Sequence, residues 1–383
     1  MSITWPQGFR AAGVAAGLKS SGAPDVALVV NDGPLDSAGG VFTSNRVKAA
    51  PVLWSQQVLA AGRLSAVVLN SGGANACTGS AGFADTHATA ERVAERLAIG
   101  AGEVAVCSTG LIGEPLAMMS LLAGVDAAAK QLSPDGGPDA ATAILTTDTV
   151  TKQAVVAHEG WCIGGMAKGA GMLAPGLATM LAVLTTDAAV DPAECERALR
   201  AATAVTLDRV DSDGCMSTND TVLLLASGAS GVRPDPADFD RAVEQVCAQL
   251  ARALVADAEG AKHDIAVTVV GAADEADALV AARAVARSNL LKCAVFGGDP
   301  NWGRVLAAVG TTTASFEPDD LDVTINGVKV CVACAPGEPR ELVDLSGRSV
   351  EIVVDLHAGE RAVTVWTNDL TTDYVHENSA YST

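Results

Sequence analysis

Two rhythms of apolar and polar residues alternate along this chain. Asp25-Val-Ala-Leu-Val-Val30, Ala66-Val-Val-Leu69 and Glu103-Val-Ala-Val106 are short, nearly unbroken apolar runs, the pattern of strands buried on both faces. From Ala84 to Ile99 the apolar residues instead return at helical spacing, with Glu and Arg between them. Asp191-Pro-Ala-Glu194 predicts a helix start: an N-cap acid, proline at the first position and an acid at the third. Asp235-Pro-Ala-Asp238 repeats that logic ahead of a helix to about Ala258. Asp274-Glu-Ala-Asp277 opens another that ends near Ser288. The last third turns strand-rich, with Leu321-Asp-Val-Thr-Ile325, Val350-Glu-Ile-Val-Val354 and Ala362-Val-Thr-Val-Trp366. Asn326-Gly327 between strand-like runs is a hairpin signal. The fold class expected is α/β in the broad sense, with α+β mixed sheets and helices packed on them. Leu132 to Asp139, rich in Gly, Pro and Asp, reads as a surface connection.

Composition narrows the function. The 383 residues are 49% hydrophobic but only 3% aromatic, so the core is built from Ala, Val, Leu and Gly. Twenty-five Lys and Arg against 45 Asp and Glu give a net charge of −20. Nucleic acid and anionic membrane both attract basic proteins, so neither is an expected partner. No run approaches the roughly 18 apolar residues of a bilayer span. The start, Met1 to Arg10, lacks the basic and apolar regions of a secretory signal. With nine cysteines, an odd number, this points to reduced thiols in a cytoplasm. Cys331-Val-Ala-Cys334 has metal-like spacing but no second pair or nearby His, and reads as small hydrophobes in a strand; no metal is expected. Gly169-Ala-Gly171-Met-Leu-Ala174 formally fits a dinucleotide fingerprint, yet lacks the strand, helix and distant acid that would give it meaning. Arg304 is read as a structural partner of Asp299.

The candidate chemistry lies in Lys168-Gly-Ala-Gly-Met-Leu-Ala-Pro-Gly-Leu-Ala-Thr-Met-Leu181. A threonine becomes a strong nucleophile when its own α-amine is free to take the hydroxyl proton. Thr179 is internal, so the chain would first have to break between Ala178 and Thr179. The small Ala178 and the Gly/Pro approach suit that break. Around it, in chain order, stand polar, glycine-rich stretches of the kind that often carries function. They are Phe42 to Arg46, Asn70 to Asn75, Ser108-Thr-Gly110, Thr146-Thr-Asp148, Ser217-Thr-Asn-Asp220, Asp257-Ala-Glu-Gly260, Gly298 to Arg304 and Glu377-Asn378. Asn70 to Asn75 is expected to shape a turn near the loop at Thr109.

In this order the stretches resemble the glutamate N-acetyltransferase family of arginine biosynthesis, also called ornithine acetyltransferase, from about Trp5 to Thr383. The resemblance implies a self-cleaved enzyme with an α fragment, 1–178, and a β fragment, 179–383. It implies Thr179 as nucleophile, Thr109 and Gly110 as oxyanion hole, and Thr146, Lys168, Thr179, Glu259, Asn378 and Thr383 as substrate-binding residues. The acetyl group would pass from N-acetylornithine to Thr179, releasing ornithine, and then to glutamate, giving N-acetylglutamate in a ping-pong cycle. No metal or nucleotide cofactor is implied; whether acetyl-CoA is a second donor stays open. Two α and two β fragments would form a heterotetramer. Thr383 sits where the family's end varies, and Asp211-Ser-Asp-Gly-Cys215 departs from the more usual pattern; both bear on substrate preference rather than reaction type. Two rival readings are an amidohydrolase or aminopeptidase with the same threonine and water as acceptor, and an uncleaved protein that binds acyl-amino acids.

Overall fold

The computed structural model describes residues 2–174 and 180–380. Ala178, Thr179 and Thr383, named above for cleavage, nucleophile and substrate anchor, lie outside the described residues. The chain divides into two compact units. The first comprises Met1–Asp208, Cys215–Asp257 and Ser382–Thr383; the second comprises Arg209–Gly214 and Ala258–Tyr381.

The first unit carries β1 (Phe9–Val14), β2 (Val26–Asn31), β3 (Ser37–Phe42), α1 (Ala50–Leu59), β4 (Ala66–Asn70), α2 (Gly79–Leu97), β5 (Val104–Ser108), α3 (Met118–Gln131) and α4 (Gly137–Ala143). Then follow β6 (Lys152–His158), β7 (Trp161–Lys168), β8 (Leu181–Thr186), α5 (Pro192–Val205), β9 (Thr221–Ala226) and α6 (Pro236–Ala256). Among the described residues these form a sheet ordered β1-β2-β4-β5 and a second ordered β3-β9-β8-β7-β6. One buried cluster runs through both, joining Val67 and Val106 to Met166, Val183 and Leu223. Continuous apolar strands demand such two-sided cover. The cover on the second sheet comes from α5 and α6, against which glycines let the backbone approach closely. A Cβ on Gly165 would lie 2.9 Å from Val246 of α6.

The caps read from sequence are in place. Asp191 accepts the Glu194 N–H at 2.9 Å while Glu194 Oε2 accepts the Asp191 N–H at 2.8 Å, a complete capping box. Asp235 accepts the Ala237 N–H at 2.9 Å. Two expectations need correction. Helix α2 starts at Gly79, five residues before Ala84. Asn75 secures that extra turn, donating to Gly82 O at 2.8 Å and to Thr86 Oγ1 at 2.9 Å, so tertiary contacts override the weak propensity of Gly and Ser. The segment 132–139 is no loose connection. Ser133 exchanges backbone hydrogen bonds with Ala11 of β1, and α4 begins at Gly137.

The second unit carries β10 (Asp264–Ala272), α7 (Glu275–Ala286), α8 (Asn289–Phe296), α9 (Trp302–Val309), β11 (Asp322–Ile325), β12 (Val328–Val332), β13 (Ala335–Pro336), β14 (Ser349–Asp355), β15 (Arg361–Asn368) and α10 (Thr372–Ala380). Its sheet runs β13-β12-β11-β14-β10-β15. Asn326 and Gly327, at φ +45° and +82°, make the expected hairpin between β11 and β12. Ser288 does more than follow α7: its hydroxyl caps α8 by accepting the Leu291 N–H. Arg304 donates to the Leu290 carbonyl, and it is Arg340 that approaches Asp299, so the expected Arg304–Asp299 pair is not the one formed. Among the described residues no helix is long and apolar enough to cross a membrane.

Candidate active site

Strands β4 and β5 run parallel and end side by side, with Asn70 opposite Ser108. Loops beyond the carboxyl ends of parallel strands are where α/β proteins place ligands. Here the two loops are tied together. The Thr109 N–H donates to Asn70 O, Gly73 N–H to Thr109 O and Ala74 N–H to Leu111 O, each at 3.0 Å. Asn70 Nδ2 donates to Ser108 Oγ at 2.6 Å. From β9's approach, Asn219 Nδ2 donates to Ala74 O at 2.6 Å and Ser108 O at 2.8 Å. The stretch 70–75 thus shapes the turn beside Thr109, as expected. Gly110 stands at φ +132°, and a Cβ there would lie 2.8 Å from the Gly73 nitrogen. Its N–H has no hydrogen-bond partner among the described residues.

Lys168, the last residue of β7, is 1% exposed and reaches this loop. Its Nζ donates to Thr109 Oγ1 at 3.3 Å and lies 4.0 Å from Asp148 Oδ2. Asp148 is the hub of a buried polar cluster. Its Oδ2 accepts the Thr146 N–H at 3.0 Å. Its Oδ1 accepts Lys152 Nζ and the Gly169 N–H, both at 2.6 Å. Lys152 also reaches Asp257 Oδ2 at 2.5 Å, and Asp257 receives Thr149 as well. Two carboxylates and two ammonium groups therefore share one dry site, which is how buried charges are tolerated.

Burial alone would push the Asp148 carboxyl up, but Lys168, Lys152 and the Gly169 N–H outweigh it and bring it down to about 2. A carboxyl lowered on folding stabilises the fold above its unfolded value and loses that contribution as the pH falls through its folded value. The contribution is about 2 kcal/mol, present above roughly pH 4 and fading toward pH 2. Asp148→Asn has no such dependence. Its deficit in urea midpoint relative to wild type is expected to narrow as the pH falls from about 5 to about 3. A deficit that stays constant would mean that the carboxyl is not held low.

The described residues on either side of Ala178 and Thr179 are anchored. Lys168 pairs with Leu181 across β7 and β8, and Gly169 is held by Asp148. At the far end Met180 donates its N–H to Asp220 Oδ1 at 3.1 Å and accepts the Thr221 N–H at 3.1 Å. Asp220 is fully buried, with no partner for Oδ2 among the described residues. Burial drives its carboxyl well above the usual range, against the pull of the Met180 N–H and the Ser217 hydroxyl.

In the second unit Asn378 Nδ2 donates to Glu259 Oε2 at 2.9 Å and to Tyr374 O at 3.0 Å, so two expected site residues meet. Glu259 lines a cavity of about 220 Å³ with Ser212, Asp213, Lys292, Asn368 and Asp369. The structure thus groups Thr109, Gly110, Thr146 and Lys168 in one unit and Glu259 with Asn378 in the other. The sequence reading missed Asp148, Lys152, Asp257, Asn219 and Asp220 as participants. Their loops stood out, but an acid in a Thr- and Gly-rich loop is locally no different from a turn residue.

A glycine-pinned turn with an open N–H beside a buried lysine is an arrangement able to stabilise a developing negative charge, as acyl-transfer enzymes require. A protein-family model described as the ArgJ family matches residues 10–383. The arginine biosynthesis bifunctional protein ArgJ of Streptomyces coelicolor is 67% identical over 382 residues, covering 100% of both chains. That of Thermobifida fusca is 63% identical over 383 residues, again covering 100% of both. The crystal structure of ornithine acetyltransferase complexed with ornithine from Mycobacterium tuberculosis is 62% identical over 47% of this chain and 96% of that one, with a TM-score of 0.45. The chain belongs to the ArgJ family and is an acetyltransferase of arginine biosynthesis. The resemblance drawn from Lys168 to Leu181 and the flanking loops is borne out.

Proposed function

We propose that this chain breaks its own backbone between Ala178 and Thr179 and then carries an acetyl group on the Thr179 hydroxyl, from N-acetylornithine to glutamate. The contact that carries the reading is Lys168 Nζ on Thr109 Oγ1 at 3.3 Å, beside Gly110 at a φ that glycine favours. It sets a hydroxyl and a backbone N–H beside Lys168, the last residue of β7. Attack of the Thr179 oxygen on the acetamide carbonyl forms a C–O bond and a tetrahedral oxyanion, which Thr109 and Gly110 receive. The freed α-amine of Thr179 takes the hydroxyl proton and passes it to the leaving nitrogen as the C–N bond breaks. Ornithine departs, the glutamate amine attacks the ester, and N-acetylglutamate leaves. Thr146 and Lys168 serve the α-carboxylate that both substrates share. Glu259 and the terminal carboxylate of Thr383 serve the side-chain ammonium of ornithine, and Asn378 the side-chain carboxylate of glutamate. These groups supply the chemistry without a metal or nucleotide. The fragments 1–178 and 179–383 stay together, as a heterotetramer in the cytoplasm.

The test is intact mass followed by kinetics. Denatured wild-type protein is expected to give two species that meet between Ala178 and Thr179. Initial rates with N-acetylornithine and glutamate varied together are expected to give parallel double-reciprocal lines. A single full-length species with full transfer, or intersecting lines, would overturn the scheme. Acetate released without glutamate would favour the hydrolase reading. Acetyl-CoA in place of N-acetylornithine decides whether there is a second donor.

A further inference from the structure

A threonine hydroxyl both gives and accepts a hydrogen bond, whereas an ammonium only gives. The 3.3 Å contact between Lys168 Nζ and Thr109 Oγ1 therefore has one direction: Lys168 donates and Thr109 accepts. The hydroxyl's own hydrogen must point elsewhere. A charged donor on its oxygen also polarises the O–H and makes it a stronger donor in turn. The Asp148 carboxylate stands 4.0 Å from the same Nζ. Asp148 is itself immobilised on both oxygens, by Lys152 and Gly169 on one and by Thr146 on the other. Lys152 is tied in turn to Asp257. Removing the charge of Asp148 would leave two buried ammonium groups facing one carboxylate, and their repulsion would drive Lys168 off Thr109.

We propose that Asp148 is a positioning residue for acetyl transfer, acting through Lys168 to keep the Thr109 hydroxyl turned and polarised as a donor to the oxyanion. This rests on the reading of Thr109 as an oxyanion donor. It separates two roles that one buried cluster would otherwise blur. Lys152 and Asp257 brace the loop, whereas Asp148 works along the line to Thr109.

A double-mutant cycle separates this from a merely structural role. The kcat for transfer from N-acetylornithine to glutamate is measured per cleaved chain, the cleaved fraction being taken from intact mass. Asp148→Asn is expected to lower kcat by roughly 10- to 100-fold while KM moves less than about 3-fold. Thr109→Ala is expected to cost on the order of 100-fold or more. Adding Asp148→Asn to Thr109→Ala is expected to cost less than about 3-fold further, because no hydroxyl remains to be polarised. In Thr109→Ser, which keeps a hydroxyl, Asp148→Asn is expected to cost its full factor again. An equal cost of Asp148→Asn with and without the hydroxyl, or a cost that falls in KM, would overturn the proposal. Unchanged kcat in Thr109→Ala would remove Thr109 from the oxyanion site and both readings with it. Where a variant does not cleave, the rate of cleavage in the precursor enters the same cycle. Should Asp148→Asn not fold, Asp148→Glu, which keeps the charge but displaces the carboxylate, takes its place with the same expected dependence on Thr109.

Discussion

Thr179→Ala is expected to leave a single chain of 383 residues and to abolish acetyl transfer. The two losses have one cause. Cleavage needs the Thr179 oxygen to attack the carbonyl before it, and transfer needs the same oxygen together with the amine that cleavage frees. Removing an activated hydroxyl nucleophile costs roughly 10⁶-fold in kcat, because the base and oxyanion donors have nothing left to act on. Thermal stability should hardly change. The sheet on either side is anchored by the Lys168–Leu181 pairing and by Met180 on Asp220. Intact mass reads cleavage and a coupled assay reads transfer. Transfer at more than about a hundredth of the wild-type rate would place the nucleophile elsewhere. A Thr179→Ser variant keeps the oxygen and is expected to cleave, which separates loss of chemistry from loss of fold.

Gly110→Ala is expected to have the next largest effect, lowering kcat by on the order of 10²- to 10³-fold, the scale of one lost oxyanion donor. The physical reason is steric before it is electronic. Gly110 sits at φ +132°, and a Cβ there would come within 2.8 Å of the Gly73 nitrogen and 2.9 Å of its Cα. Both are backbone atoms, so no side-chain rotation relieves the contact. The turn must open, and opening it strains the Gly73–Thr109 and Ala74–Leu111 hydrogen bonds that aim the Gly110 N–H. The more obvious substitution, Gly110→Pro, removes the N–H outright but cannot adopt this φ at all, so it would report strain rather than the missing donor. Single-turnover acetylation is the readout, at equal cleaved fraction. A wild-type acylation rate in Gly110→Ala would mean that the turn tolerates the methyl group and that the N–H is not used.

Much of this molecule was legible before any coordinates. Runs such as Ala66 to Leu69 and Glu103 to Val106 are strands because β-branched and small apolar residues bury well on both faces of a sheet. Asp191, Asp235 and Asp274 cap helices because a short acid at that position satisfies N–H groups that the helix leaves open. These are local arguments, and local physics decided them. Helix α2 shows their limit. Its first turn, Gly79 to Gly82, has poor propensity and exists because Asn75 bonds across it.

The family and its candidate residues were likewise written in the chain. Thr109, Gly110, Thr146, Lys168, Glu259 and Asn378 could be named from motifs in order. Their arrangement could not. Sequence alone determined the fold class, the caps and the acidic charge, since each follows from residue type and short spacing, while the set of candidate residues came from the resemblance to a family. Only tertiary structure decided that Lys168 meets Thr109, 59 residues away, and that Asp148 stands between Lys168 and Lys152. It also brought Asp257 onto Lys152 across 105 residues. A buried charge is stable only where an opposite charge is folded against it, and that partner is chosen by the packing of distant strands rather than by neighbours along the chain.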